Sequence, residues 1–119
     1  MSILNTLSKK IHEANVKKGF YDNPREIGTL LMLVVSELSE ALEADRKNRH
    51  CKEQVDSTLD ENYIELFEQK VKDTFEDEIA DALIRLFDLV GYLRIDIDAH
   101  IDMKLRYNAT RPHKHGKNY

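Results

Sequence analysis

Apolar residues recur every three or four positions along most of the chain, which is the period of amphipathic helices. The first such stretch covers residues 3–18. Before the second, Asn23 offers a helix-capping side chain and Pro24 the residue type favoured in a first helical turn, so the sequence predicts a helix from there to about Arg46. The apolar stripe of this helix is Ile27, Leu30, Leu31, Val34, Leu38, Ala41 and Leu42.

The middle and the end of the chain are less uniform. Residues 46–59 are polar and show no period, and a short helix fits around residues 63–67. Near the carboxyl end, Asp96 is placed to cap a last helix from about Ile97 to Ala109. In that helix Ile97, Ile101 and Leu105 are expected to face inward.

The longest helix of the second half, about Lys72 to Leu93, is apolar around most of its circumference. Its one polar arc consists of Glu78, Asp81, Arg85, Asp88 and Tyr92. Such a helix needs apolar neighbours on most sides, and a chain of four to five helices has few to offer. We therefore predict that a second copy of the chain completes the core and that the protein is a homo-oligomer.

These patterns predict an all-α helical bundle of about four to five helices in a single domain, residues 1–119. At 119 residues a second core would have too few residues. Cys51 is the only cysteine, which excludes an internal disulfide and a cysteine-only zinc site. The longest apolar run, residues 30–35, is far shorter than the ~20 residues of a membrane span. We expect a cytoplasmic protein without a membrane partner.

Charge is distributed unevenly along the chain. The net charge is −4, but residues 103–119 hold five Lys or Arg and no acid, so the remainder carries −9. An acidic body argues against binding of a long nucleic acid, which needs a broad basic surface. A short basic tail can bind one small polyphosphate, although a tail that is only solvated has the same composition.

Two of the predicted helices carry acids three residues apart, Glu37 with Glu40 and Glu78 with Asp81. Each pair lies on one helix face. If the faces meet, four carboxylates converge, and two charges about 5 Å apart repel by about 3 kcal/mol even at an effective dielectric constant of 20. Carboxylate oxygens without His or Cys suit Mg²⁺ or Mn²⁺. Two solvated acidic faces have the same spacing, but these acids lie beside core positions, where an unpaired charge is costly.

The segments SELSEAL at 36–42 and EDEIAD at 76–81 resemble the ExxE and ExxD metal motifs of the MazG-like all-α nucleoside triphosphate pyrophosphohydrolases. The likeness extends to KGFY at 18–21 and to KLRYN, RP and HGK between 104 and 117, and so covers roughly residues 5–117. Many members have two successive glutamates where this chain has Ser36 and Glu37, so the number of bound ions stays open. The resemblance implies homodimers or dimer-of-dimers tetramers.

The resemblance also implies a reaction: hydrolysis of a (deoxy)nucleoside triphosphate to monophosphate and pyrophosphate, as nucleotide-pool housekeeping. Carried over by position, the Mg²⁺ ligands, or Mn²⁺ ligands, are Glu37, Glu40, Glu78 and Asp81, with Glu40 also taking a proton from water. The substrate-binding residues are Lys104, Asn108, His12, Tyr21 and Arg111. Lys104 and Asn108 suit phosphate and sugar, whereas His12 and Tyr21 match base-pocket positions in relatives of the deoxycytidine triphosphatase branch.

Two other functions fit the same residues. One is a non-catalytic helical module, a regulatory or interaction dimer whose acids are only a charged surface. The other is a pyrophosphohydrolase acting on a phosphoribosyl-nucleotide intermediate, as in related histidine-pathway enzymes. Minor candidates are weaker, since His113 and His115 provide only two metal ligands and Cys51 has no adjacent histidine to activate its thiol.

Overall fold

The computed structural model describes residues 3–56, 58 and 61–119, and within this part every regular element is helical. The α-helices are α1 (Ile3–Lys17), α2 (Ile27–Arg46), α3 (Tyr63–Lys70), α4 (Phe75–Leu93) and α5 (Ile97–Ala109). A short turn, His113–Gly116, follows α5, and within it Lys114 and His115 have a left-handed backbone (φ 53° for both). The predicted all-α class is confirmed. Among the described residues no helix has the length and hydrophobicity that a bilayer span requires.

The chain divides into two compact units. Unit 1 contains Met1–Asp22 and Phe87–Tyr119, and unit 2 contains Asn23–Leu86. The four acids of the predicted metal motifs all belong to unit 2. His12, Tyr21 and the basic tail belong to unit 1.

Helices α2 and α4 both begin later than the sequence predicts. The predicted cap at Asn23 is wrong, because α2 begins at Ile27 and Glu26 precedes it in an extended conformation (φ −89°, ψ 138°) without a side-chain cap. Proline fixes only φ near −65°, a value that fits extended backbone as well as a helix. Helix formation therefore starts where the apolar stripe starts.

Helix α4 begins at Phe75, three residues after the predicted Lys72. Asp73 has a left-handed backbone (φ 64°), which a continuing helix does not allow. Thr74 then acts as the cap, since its hydroxyl accepts a hydrogen bond from the Asp77 N–H at 3.3 Å. This boundary places Glu76, Asp77 and Glu78 in the first turn of α4.

The polar connection after α2 is attached to the start of α4. The Phe75 N–H donates to the Arg49 carbonyl at 2.9 Å. The His50 ring contacts two carboxylates, Asp45 at 2.9 Å through Nε2 and Glu76 at 3.1 Å through Nδ1. Both contacts hold the proton on the ring, so the pKa of His50 is raised, first by Asp45 and then by Glu76.

In unit 1, α1 and α5 share a network at their amino ends. Asp96 caps α5 as predicted, since its side chain accepts from the Ala99 N–H at 3.2 Å. The Asn5 N–H donates to Asp98 Oδ2 at 2.7 Å, and Asn5 Oδ1 accepts from the Ile97 N–H at 2.9 Å. Each helix thus satisfies amide donors of the other that have no partner within their own helix.

The end of α4 approaches α1 closely at Gly91, also within unit 1. A Cβ at this position would lie 2.6 Å from the Ser8 carbonyl oxygen and 2.7 Å from the His12 Cβ. Real side chains do not reach such distances, so the close contact requires a glycine at residue 91.

Helix α4 buries acids as well as apolar residues, and it leaves other apolar residues exposed. Glu78 and Asp88 from the polar arc are 5% and 6% exposed, whereas Leu83, Ile84 and Leu86 are between 41% and 49% exposed. On α2 a similar apolar stripe is exposed, namely Ile27, Leu31, Val35, Leu38 and Leu42. The inward orientation predicted for Ile101 and Leu105 is wrong for a single chain, because these side chains are 39% and 62% exposed. Large apolar surfaces therefore remain uncovered within one copy.

Candidate metal centre

Three of the four predicted acids come together in unit 2. Glu37 of α2 and Glu78 and Asp81 of α4 each offer a carboxylate oxygen, and these atoms all lie within 4.8 Å of one another. The three-residue spacing places Glu78 and Asp81 on the same face of α4. Glu37 and Glu78 are buried, and Asp81 is partly buried. We call these three residues, with Glu40, the acid cluster.

Glu40 is the exposed member of the acid cluster. It lies one turn after Glu37 on α2, and its carboxyl group interacts with those of Glu37 and Glu78. It is not among the three acids whose ligand atoms are closest. Its exposure leaves it in contact with solvent water, unlike Glu78.

Glu78 is the most perturbed group of the acid cluster. Burial, then hydrogen bonds with Glu40 and Glu37, raise the pKa of Glu78 to about 8. Its Oε2 atom is buried and has no hydrogen-bond partner among the described residues. A buried carboxylate oxygen without a donor is unfavourable unless it is protonated or meets a cation.

The other two acids respond to different neighbours. Burial alone would raise the pKa of Glu37, but the hydrogen bond from Arg85 Nε to Glu37 Oε1 (2.8 Å), with further bonds to Glu40 and Glu78, lowers it. Burial and the charges of Asp77 and Glu37 raise the pKa of Asp81. The four acids of the acid cluster thus lie close together, and Arg85 is the cation that offsets part of their charge.

A second group of acids shares Glu78. Asp73, Asp77 and Glu78 also bring ligand atoms within 4.8 Å of one another, and Asp77 Oδ2 accepts from the Asp73 N–H at 3.0 Å. Neither Asp73 nor Asp77 was predicted from the sequence as a site residue. Asp77 could have been predicted from its position beside Glu78 in the EDEIAD segment. The turn that brings Asp73 close to Asp77 and Glu78 has no sequence signature of its own.

The carboxylate oxygens of the acid cluster could bind a hard divalent cation. All of them are carboxylate oxygens, without His or Cys, which is the ligand set that suits Mg²⁺ and Mn²⁺. The buried Oε2 of Glu78 is an acceptor that such an ion would satisfy.

In unit 1, His12 and Tyr21 meet at a buried aspartate. His12 Nδ1 donates to Asp88 Oδ1 at 3.0 Å, and the Tyr21 hydroxyl donates to Asp88 Oδ2 at 2.6 Å. The rings of His12, Tyr21 and Tyr92 have their centres between 4.6 and 5.7 Å apart. Arg85 and Asp88 lie three residues apart on the polar arc of α4. They form no ion pair, because Arg85 binds Glu37 instead.

The remaining predicted residues lie near the end of α5. Lys104 Nζ and Arg111 Cζ are 5.2 Å and 5.6 Å from the centre of the Tyr107 ring. Arg111 Nη2 also donates to the His115 carbonyl at 3.1 Å. Asn108 Oδ1 is buried without a partner among the described residues. Tyr107, whose ring both Lys104 and Arg111 approach, was not predicted from the sequence as a site residue.

Comparison of the chain with protein-family models, with curated proteins and with solved structures found no significant match.

Proposed function

We propose that the protein is a metal-dependent nucleoside triphosphate pyrophosphohydrolase of the MazG-like kind. The observation that carries the proposal is Glu78, a buried carboxyl group with an unpartnered oxygen and a pKa raised to about 8, next to Glu37 and Asp81. Acids that served only as a charged surface would be hydrated rather than buried together. The resemblance of the surrounding motifs adds the reaction class.

In this proposal Glu37, Glu78 and Asp81 hold Mg²⁺ or Mn²⁺. When bound, the ion supplies charge neutralisation for a triphosphate and acidifies water near neutral pH. Glu40, the exposed acid of the cluster, accepts the proton of the attacking water. Lys104, Asn108 and Arg111 are assigned to phosphate and sugar, and His12 with Tyr21 to the base.

The bond expected to break lies between the α and β phosphates. The oxygen of water bonds to the α phosphorus, the P–O bond that bridges the α and β phosphates breaks, and pyrophosphate leaves with the electron pair of that bond. The sequence contains no GxxxxGK[ST] loop to hold the β and γ phosphates for release of the terminal phosphate. Attack nearer the nucleoside then has the advantage that the leaving group departs as one chelated unit.

The test is chromatography of reactions of the purified chain with each deoxynucleoside triphosphate in Mg²⁺ or Mn²⁺. The expected products are monophosphate and pyrophosphate, with no diphosphate, and EDTA should abolish turnover. Glu78→Gln should be inactive while Arg46→Gln, on the exposed end of α2, should retain activity. Diphosphate and orthophosphate would show a different reaction. A phosphoribosyl-nucleotide intermediate belongs in the same panel, and its preferential hydrolysis would shift the assignment to that substrate.

We also propose that the protein is a homodimer or a dimer-of-dimers tetramer. The supporting observation is the exposed stripe on α2, whose five apolar residues follow one another at spacings of four, four, three and four. The same surface favours the second candidate function, a non-catalytic helical interaction module. The effect of divalent ions on the melting temperature distinguishes the enzyme from the module. A module should melt at the same temperature with and without these ions.

A further inference from the structure

Arg85 is a cation placed beside the acid cluster. It follows Asp81 by one turn of α4, and its Nε–H donates to Glu37 Oε1 at 2.8 Å. The Glu37 side chain is 11% exposed, whereas that of Arg85 is 41% exposed. Among the described residues the two Nη groups of Arg85 have no hydrogen-bond partner. One edge of the guanidinium group is thus fixed, and the other is open.

Arginine side chains carry a permanent positive charge. The charge of Arg85 acts on more than its direct partner, since it helps to lower the pKa of Glu37 and offsets part of the rise in the pKa of Asp81. Arg85 is therefore close enough to compete with any other cation for these acids. Its contribution to metal binding alone is unfavourable, because like charges repel.

The open edge of the Arg85 guanidinium group repels a metal ion but attracts an anion such as phosphate. A guanidinium group presents paired N–H donors in a plane, and this geometry matches two oxygens of one phosphate. The unpartnered Oε2 of Glu78 independently indicates a cation at the same cluster. Arg85 is hydrogen-bonded to an acid of this cluster, so a phosphate chelated by such a cation would lie within reach of the same guanidinium group.

We propose that Arg85 is a substrate-binding residue of this site, with Nε holding Glu37 in position and the Nη groups binding a phosphate that arrives with the divalent ion. This inference rests on the proposed function, because it takes the ligand to be a metal-chelated phosphate. It makes a prediction that a structural arginine does not. Removing the charge should improve binding of the metal alone and weaken binding of the phosphate.

The experiment is titration calorimetry of the full chain with two probes, Mn²⁺ alone and inorganic pyrophosphate in excess Mg²⁺. Arg85→Gln keeps a hydrogen-bond donor for Glu37 but removes the charge. We expect it to bind Mn²⁺ at least as tightly as the wild type and pyrophosphate about tenfold more weakly, as loss of a charge-assisted bidentate contact predicts. Arg85→Lys should recover part of the pyrophosphate affinity. Arg46→Gln, an exposed arginine of the same unit, should change neither.

Equal weakening of both probes in Arg85→Gln, or unchanged pyrophosphate affinity, would overturn the inference, as would a wild-type chain that binds no pyrophosphate. The proposed function can fail separately. If no nucleotide is hydrolysed but the opposite effects on Mn²⁺ and pyrophosphate are found, the assignment of Arg85 stands and the reaction is wrong. If triphosphates are hydrolysed and Arg85→Gln keeps the wild-type KM, the reaction stands and Arg85 is not a phosphate ligand.

Discussion

Glu37 and Glu78 are neighbours in one acid cluster, yet the pKa of Glu78 is raised to about 8 while that of Glu37 is lowered. Burial acts in the same direction on both carboxyl groups. They differ because Arg85 donates a hydrogen bond to Glu37, whereas the neighbours of Glu78 are other acids. Without metal, one carboxyl group is therefore protonated near neutral pH while the other is ionised.

The first prediction concerns the pH dependence of stability without metal. Glu78 keeps a proton in the folded chain from its ordinary pKa of 4.5 up to about 8, a range in which the unfolded chain has lost it. The folded state then binds more protons, so its stability should fall as pH rises through this window. Melting temperatures in EDTA between pH 5 and pH 8.5 measure the slope, and Glu78→Gln should flatten it.

His50 contributes to the same slope, because its raised pKa makes its stabilising contacts weaken as pH rises above its ordinary value of 6.5. The part due to Glu78 is therefore the difference between the wild type and Glu78→Gln. Glu68→Gln, an exposed acid on α3, serves as the control and should follow the wild type. If Glu78→Gln also runs parallel to the wild type, Glu78 is not the buried proton carrier.

The second prediction concerns metal. Mg²⁺ or Mn²⁺ should raise the melting temperature, and more at pH 8 than at pH 6, because binding must displace the proton of Glu78. Asp81→Asn should lose this shift. It should also keep helical circular dichroism and melt without metal no lower than the wild type, since it relieves repulsion. A full metal-induced shift in Asp81→Asn would mean that the acid cluster is not the binding site.

Local signals account for what the sequence predicted well. Helix α5 has its predicted bounds because both its cap, Asp96, and its period are encoded within a few residues. The pairing of Glu78 with Asp81 follows from helix geometry alone. At α2 two local signals disagreed, the Asn23-Pro24 cap and the apolar period that begins at Ile27, and the period decided the boundary.

The partners of the site residues could not be predicted in this way. Arg85 and Glu37 are 48 residues apart in sequence, and His12 and Asp88 are 76 apart. From α4 alone, Arg85 and Asp88 are simply two charges on one arc, three residues apart, and an ion pair between them is the local expectation. The partners that the two residues have in the structure come from other helices and loops. Arg85 binds Glu37, and Asp88 accepts hydrogen bonds from His12 and Tyr21.

The third prediction concerns the close contact at Gly91. In Gly91→Ala the new Cβ would meet the Ser8 backbone at 2.6 Å, and backbone cannot move aside as a flexible side chain can. We expect the free energy of unfolding, measured with urea, to fall by about 1–3 kcal/mol. Gly28→Ala is the matched control, because nothing lies within 4 Å of a Cβ at that position. Helix propensity should make this control neutral or more stable, by up to about 1 kcal/mol. Equal stabilities of the two variants would show that the contact at Gly91 is not tight in solution.

The last prediction concerns assembly through the exposed stripe of α2. Val35 and Leu38 lie in the middle of this stripe and are 49% and 47% exposed in a single chain, so a neighbouring copy that covers the stripe would bury both. Light scattering behind size-exclusion chromatography should give the wild type at least twice the chain mass of 13.9 kDa.

Val35→Glu or Leu38→Glu should shift the protein toward monomer while keeping helical circular dichroism, because a carboxylate buried in an apolar interface is costly. Thr29→Glu adds the same charge to the opposite side of α2, by the 100° step between helical residues, and should leave the mass unchanged. A wild-type mass of 13.9 kDa at micromolar concentration would contradict the paired architecture. If instead the wild type is an oligomer that all three variants preserve, pairing occurs through another surface, and the exposed side chains of α4, Leu83, Ile84 and Leu86, become the next positions to charge.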